Sequence, residues 1–397
     1  MIRDNYLDVS KITTDAGILK VFDIVQSHGG IIRFVGGAVR DAIAGKSGSD
    51  LNLSTDLSPD ELLEVFEDAG IKTVPIGLKS GVSGVIINNT LLEITSLSKS
   101  NDTSFNDDWQ SDASTRDLTI NAVYADDRGN VFDYYNGIDD LEKGIVRFIG
   151  DPNQRIKEDY LRILRFFRFH SLFAKTAVNK EGLKACIDNR QGLNSVSIER
   201  IRDELIKIIL TPNAAEVLKV MLDNEILGNW LGKSPYLSNL AFLIRIENSL
   251  NITLNPLRRL FVMYFPDKTL AENIAARFHL SKRQKETLIR WTNPELGIEN
   301  IMEETLRTKI IYHYGKEFCI DKLIIEASRR QDFPEGISGL IKDIESTSIP
   351  VFPLTGREIL EKANVSQKQV GAIMERLKDA WLASGFKLTK DELLSKI

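Results

Sequence analysis

Two stretches of the chain carry residues spaced for chemistry on phosphate esters. The first, RFVGGAVRDAIAGKSGSDLNLS (33–54), reads as a strand, a double-glycine turn, a short helix beginning near Ala38, a loop and a second strand. Such a turn aims backbone N–H groups and the positive helix end at an anion. Gly36 and Gly37 have no Cβ to block close approach, and Arg40, one turn in, can offer a guanidinium to phosphate oxygens. The plain alternative is a turn that needs positive φ and nothing more. In the second strand the two-residue repeat sets Asp50 and Asn52 on one face and Leu51 and Leu53 on the other. Paired carboxylates so placed can hold Mg2+ ions, which activate a 3′-hydroxyl and stabilise a pyrophosphate leaving group. Here the second donor is an asparagine, whose carbonyl can ligate Mg2+ without a full negative charge. The tripeptide GKS at 45–47 is not a P-loop, because that motif needs glycine at position 40, where Arg40 stands.

The second stretch, RIKEDYLRILRFFR (155–168), holds five Arg or Lys against two acids. On a helix, Tyr160, Ile163, Leu164 and Phe167 gather on one face, while Glu158, Asp159, Arg162 and Arg165 share another. Phe166 and Phe169 fall in the polar arc, which argues for a covered cleft there and not a purely solvated face. A carboxylate and a guanidinium three positions apart on one helix can present an acceptor and donors to the edge of a nucleobase. The same pattern is also an ordinary salt-bridge ladder, and the residues alone leave both open.

The elements that must position these groups fall into two halves. Up to about residue 150, extended segments at 31–37, 50–54, 84–90, 91–97 and 129–135 alternate with helices, one opened by Ser58-Pro59-Asp60-Glu61 and stopped at Gly70. From about residue 156 onward the 3.6-residue period takes over, in segments including 156–170, 197–210, 213–226, 238–249, 267–278, 281–292 and 316–329. A Ser/Pro-rich stretch at 345–356 ends in a second capping box, Thr355 to Glu358. With 397 residues, at roughly 100–200 per domain, the chain should hold two to four domains. Its net charge of -5 excludes bulk positive charge as the grip on a nucleic acid, so a local patch is required, and 155–168 is one. Two distant cysteines and four scattered histidines argue against a structural zinc site. The first residues carry acids and no apolar core of signal-peptide length, and no run is apolar enough for a membrane span, so a cytoplasmic, reduced protein is expected.

GGAVRD followed by DLN resembles the signature of the class II tRNA nucleotidyltransferase and poly(A) polymerase family, GGxVRD with a later DxD. The likeness continues in order through TRDLTINA (115–122), FDYYNGIDDL (132–141), EDYLR (158–162) and SIERIRDEL (197–205), and FPLTGREIL with KDAWLASGF resembles bacterial C-termini. The resemblance implies an α/β, polymerase-β-like nucleotidyltransferase head with a mixed sheet (1–148), then an all-α neck (149–212), body (213–344) and tail (345–397). It implies template-independent transfer of CMP and AMP from CTP and ATP to the 3′ end of tRNA, with Mg2+. By position it gives Gly36, Gly37 and Arg40 to the triphosphate, Asp50 and Asn52 to the metal, and Arg116 to the nucleotide. Asp159 and Arg162 would read the base, with Arg165 and Arg168 at the next two family arginines. Asp117 and Asn121 would hold the fold, and Glu199, Arg200 and Arg202 would support the selection helix. The Trp-containing tail segment 378–386 reads as core packing before base stacking.

The departures fall on the chemistry. DxD reads DLN; the strand pair that in many relatives reads HGT and EITTLR is SGV (80–82) and EITSLS (93–98); the first arginine of RRD is Thr115. Glu93 is the remaining strand acid nominated as an additional metal or water ligand. The resemblance therefore leaves three readings open: a tRNA CCA-adding enzyme with reduced activity, a specialised A-adding enzyme or poly(A) polymerase, or a catalytically impaired RNA-binding relative.

Overall fold

In the computed structural model the described residues are 6–46, 51–77, 81–97, 109–228, 230–231, 235–264, 267–332, 336–363 and 367–397. They form two compact units, 1–228 and 229–397. The first is built on a sheet whose described strands run in the order β3-β4-β5-β2-β1-β6-β7: β1 (Ile32–Val35), β2 (Asn52–Thr55), β3 (Thr73–Gly77), β4 (Val82–Ile87), β5 (Thr90–Ser96), β6 (Val123–Ala125) and β7 (Val131–Asp133). All pairings are antiparallel except β2 with β5, so the sheet is mixed.

Register separates the two faces of this sheet. Phe34, Leu53, Ile94 and Ala125 lie side by side and fully buried on one face, where α1 (Ala16–Ser27) delivers Phe22 with its ring 4.6 Å from that of Phe34. Next along the chain are α2 (Gly37–Ile43) and α3 (Pro59–Asp68); Ser58 and Glu61 close the expected capping box on α3. The opposite face carries Arg33, Val35, Asn52, Ser54, Glu93, Thr95 and Tyr124. A central strand with this much polar side chain on one face cannot leave it to apolar packing. Arg33 is instead held between the rings of Trp109 (4.1 Å) and Phe132 (3.6 Å) and donates to the Tyr134 hydroxyl at 3.0 Å.

After α4 (Trp109–Thr115), β6, β7 and α5 (Gly137–Lys143), the unit becomes helical: α6 (Pro152–Glu158), α7 (Arg162–Phe173), α8 (Lys180–Asn189), α9 (Ile198–Ile209) and α10 (Ala214–Asp223). The periodicity over 156–170 predicts one helix, and the chain breaks it. Asp159 leaves the helical region (φ -155, ψ 105), and its carboxylate accepts from the Leu161 N–H at 3.1 Å. This local bond competes with the helical ladder, so α7 restarts at Arg162 with Asp159 outside both helices. Asp159 and Arg162 are therefore not two positions on one helix. Phe166 and Phe169 are both buried, so this face is not a solvated one; Phe166 is covered by the stacked ring of Phe148.

The second unit is helical throughout its described residues, from α11 (Leu237–Leu250) and α12 (Pro256–Val262) through α13 (Lys268–Arg277), α14 (Lys282–Trp291), α15 (Ile298–Met302), α16 (Glu304–Tyr314), α17 (Lys316–Arg330) and α18 (Ile337–Ser346). Glu247 of α11 takes two buried arginines of α12, Arg258 at 2.6 Å and Arg259 at 2.7 Å. The segment after residue 350 folds as α19 (Gly356–Ala363), α20 (Gln367–Ala383) and α21 (Lys390–Leu394). Its core holds Leu354, Ile359, Leu377, Leu393 and the buried Trp381, against which Phe352 and Phe386 pack edge-on. Trp381 is a core residue, as the tail sequence predicts. Both cysteines are buried and unbridged. Among the described residues no helix is long and apolar enough to cross a membrane.

Candidate functional site

The polar face of the sheet, the Gly36–Gly37 turn and the α6–α7 break enclose a cleft of ≈ 730 Å3, within the range of small-molecule sites. Gly36 takes φ +68 and ψ -120, and its N–H donates to the Val123 carbonyl at 3.2 Å. A Cβ at this position would meet nothing closer than 3.5 Å, so the glycine is required by its backbone angle and not by space. The chain turns directly into α2, whose first N–H groups lack intrahelical partners.

Arg40 sits almost wholly buried below this turn. Its Nε donates to Asp41 at 2.8 Å and its Nη1 to Asn121 Oδ1 at 2.5 Å, while the rings of Phe169 and Phe173 lie 4.7 and 4.8 Å from its guanidinium carbon. Asn121 in turn donates to Asp117 Oδ1 at 3.0 Å, and Asp117 Oδ2 accepts from Arg165 Nε at 2.6 Å. One relay thus ties α2, the turn before β6 and α7 together. Burial by itself would raise the Asp117 carboxyl, but the Arg165 charge and the bonds from Arg165, Asn121 and Leu118 outweigh it and hold the group below the usual carboxylate range.

Arg116 is fixed from three sides. It donates to Asp112 Oδ2 (3.0 Å from Nη2), to the Tyr124 hydroxyl (3.0 Å from Nε) and to Ser54 Oγ (3.2 Å from Nη2). Burial, with Asp112 accepting its proton at 2.5 Å, keeps the Tyr124 phenol protonated well above its usual range. Arg162 donates to Glu158 (2.6 Å), to the Arg155 carbonyl (3.0 Å) and, across the cleft wall, to the Thr115 carbonyl (3.0 Å). Asp159 Oδ2 is held by Arg200 of α9 at 2.8 Å. Arg202 pairs with its neighbour Asp203 at 2.8 Å.

Of the residues nominated from sequence, Gly36, Gly37, Arg40, Asn52, Arg116, Asp159, Arg162, Arg165 and Arg168 all line this cleft. Glu93 does not line it, but is the register partner of Asn52 on the adjacent parallel strand, and both are exposed. Asp50 lies outside the described residues. Asn52 and Glu93 offer an amide oxygen and a carboxylate side by side, a hard-oxygen donor pair of the kind Mg2+ takes. The described residues contain no group of three His, Cys, Asp or Glu that could close a metal site by itself. Thr95, Asp41 and Lys207 also line the cleft and were not singled out from sequence. Thr95 follows Glu93 by two on its strand, which is a usable signal; Lys207 follows the matched SIERIRDEL segment by two positions, and only the packing of α9 on α7 brings it in.

The fold and this cleft define a nucleotidyltransferase head joined to helical units. Residues 32–147 match the Poly A polymerase head domain model, and 177–239 match the model described as a probable RNA and SrmB-binding site of polymerase A. The chain is 30% identical over 405 residues to CCA tRNA nucleotidyltransferase 1, mitochondrial, of Mus musculus, covering 96% of this chain and 89% of that one, with the Homo sapiens protein also at 30% over 400 residues and the same coverage. A CCA-adding enzyme of Geobacillus thermodenitrificans is 33% identical over 227 residues, 55% of this chain and 53% of that one. In fold, the chain is similar to the Bacillus stearothermophilus CCA-adding enzyme in complex with CTP (TM-score 0.73, 20% identity, 96% and 95% coverage) and to the Thermotoga maritima CCA-adding enzyme complexed with tRNA (TM-score 0.65, 19% identity, 99% and 98%). The chain belongs to the CCA tRNA nucleotidyltransferase family.

Proposed function

We propose that this chain adds CMP and AMP, from CTP and ATP, to the 3′ end of tRNA without a template. Family membership and one observation carry the reading: the cleft gathers seven cationic side chains with the double-glycine turn, beside Asn52 of β2, which offers an oxygen donor. The Gly36–Gly37 backbone and Arg40 receive the triphosphate, and Arg116 steadies it from the sheet. Asp159, aimed by Arg200 and its own turn, and Arg162, braced on Glu158, present one acceptor and a set of donors to the edge of a cytosine or adenine. Arg165 and Arg168 extend this charge along α7. Asp50, Asn52 and Glu93 are the residues that would hold Mg2+, which when bound lowers the barrier to pyrophosphate departure.

Asn52 supports a second, narrower reading within the same function. The loss of one ligand's charge predicts turnover reduced by on the order of 10²–10⁵. We read the chain further as a head at 1–148, neck at 149–212, RNA-binding body at 213–344 and tail at 345–397. We also propose a cytoplasmic location; cell fractionation tests it, since the mammalian relatives are named mitochondrial. The functional test is incorporation of labelled CTP and ATP into tRNA lacking its 3′ end, resolved by product length. Three added nucleotides are expected; one added adenosine, or a long adenosine tract, would replace this reading, and binding with no addition under any metal would reduce it to an RNA-binding relative.

A further inference from the structure

At the end of the cleft where α9 packs on α7, one carboxylate serves two cations. Glu204, buried on α9, meets the Arg168 guanidinium at 2.7 Å and Lys207 Nζ at 3.2 Å. Of the other cleft guanidiniums, Arg40 pairs with Asp41, Arg116 with Asp112, Arg165 with Asp117 and Arg200 with Asp159, while Arg162 shares Glu158 with Arg155, which does not line the cleft. At Glu204 both cations that share the one carboxylate, Arg168 and Lys207, line the cleft itself.

The geometry of this pair points the same way. Arg168 Nε is close to Glu204 but off the hydrogen-bond axis, and is buried with no other acceptor. Burial, with Arg165 and Arg40 nearby, pulls the guanidinium below its usual range despite Glu204. Lys207, one turn beyond Glu204, keeps a half-exposed side chain on the cleft wall. A flexible stem with a compact ammonium suits an oxyanion that changes position during a reaction cycle. The anions that a nucleotidyltransferase brings into this cleft are phosphates.

We propose that Arg168 and Lys207, joined through Glu204, form a phosphate-binding locus of the cleft, with Lys207 making the direct contact. The proposal rests on the nucleotidyltransferase reading above. The phosphate has two sources, the triphosphate or pyrophosphate of the nucleotide and the backbone at the RNA 3′ end, and both are read by the same chemistry.

The test uses the full chain and its Lys207→Gln and Lys207→Arg variants in two direct binding measurements, inorganic pyrophosphate with magnesium and tRNA across a salt series. Lys207→Gln is expected to weaken one of these about tenfold, the effect of losing a charged hydrogen bond, with Lys207→Arg restoring most of it. Weaker pyrophosphate with unchanged tRNA assigns the nucleotide; weaker tRNA, with a log–log salt slope shallower by about 1, assigns the primer backbone. A merely structural lysine would shift neither slope nor affinity in a way that arginine rescues. Unchanged binding of both ligands by Lys207→Gln overturns the proposal and leaves the functional reading intact. A parent chain that binds neither ligand overturns both.

Discussion

Converting Asn52 to aspartate sets a second carboxylate beside Glu93. The two residues are Cα partners in the parallel β2–β5 pair, and both are exposed. Their side chains therefore stand about 5 Å apart, the spacing of paired strands. Two unit charges at that distance repel by about 0.8 kcal/mol under bulk-water screening and about 3 kcal/mol at the effective dielectric constant of a protein surface. Exposure favours the lower end, so Asn52→Asp should cost about 1 kcal/mol in the presence of a chelator, a fall of about 2–4 °C in Tm for a unit of this size. Magnesium reverses the sign, because the added charge then faces a divalent cation and not another carboxylate. The same variant should raise single-turnover transfer of labelled CMP to tRNA by on the order of 10²–10⁵. Melting curves with and without magnesium, run beside the transfer assay, check both halves. Equal and robust turnover by parent and variant, with no magnesium-dependent change in the Tm difference, would refute the reasoning that Asn52 limits this site.

Gly36→Ala forces a Cβ onto φ +68 and ψ -120, a cost of about 1–3 kcal/mol, and should raise KM for CTP and ATP alike while leaving KM for tRNA unchanged. Asp117→Asn removes the charge opposite Arg165 and should destabilise the first unit by about 1.5–3 kcal/mol in urea titrations. Its depressed carboxyl also sets a sign: the stabilisation is present above the ordinary carboxyl value of 3.8 and is lost as pH falls through the lower folded value, so the acid limb of the parent's stability curve should flatten in this variant. His170 behaves in the opposite range. Burial lowers its pKa, so below pH 6.5 the unfolded chain takes a proton that the folded chain refuses; stability should fall there, and His170→Asn should remove that slope.

Much of the frame was legible because local chemistry and fold agree. The double glycine, the Ser58–Glu61 and Thr355–Glu358 boxes and the 3.6-residue segments all rest on interactions within a few residues. The α6–α7 break was not legible, since apolar positions keep helical phase across it and only the Asp159 side chain, turning back on Leu161, interrupts the ladder. The strand β3 is short, carries Pro75 and pairs at one edge of the sheet, so it gives little alternation to read. Within the cleft, residue types announced phosphate and base contacts, but the partners that aim them did not follow from order along the chain. Arg165 meets Asp117 across 48 positions and Arg40 meets Asn121 across 81, and both distances are products of the packed sheet and helices. Lys207 became visible only through its shared carboxylate.

Crystals of the chain grown with CTP and magnesium test most directly whether the cleft in the first unit is where the nucleotide is held. The triphosphate should lie against Gly36 and Gly37, with the cytosine edge facing Asp159 and Arg162. A nucleotide bound outside this cleft, or an empty cleft at saturating CTP, would contradict the assignment.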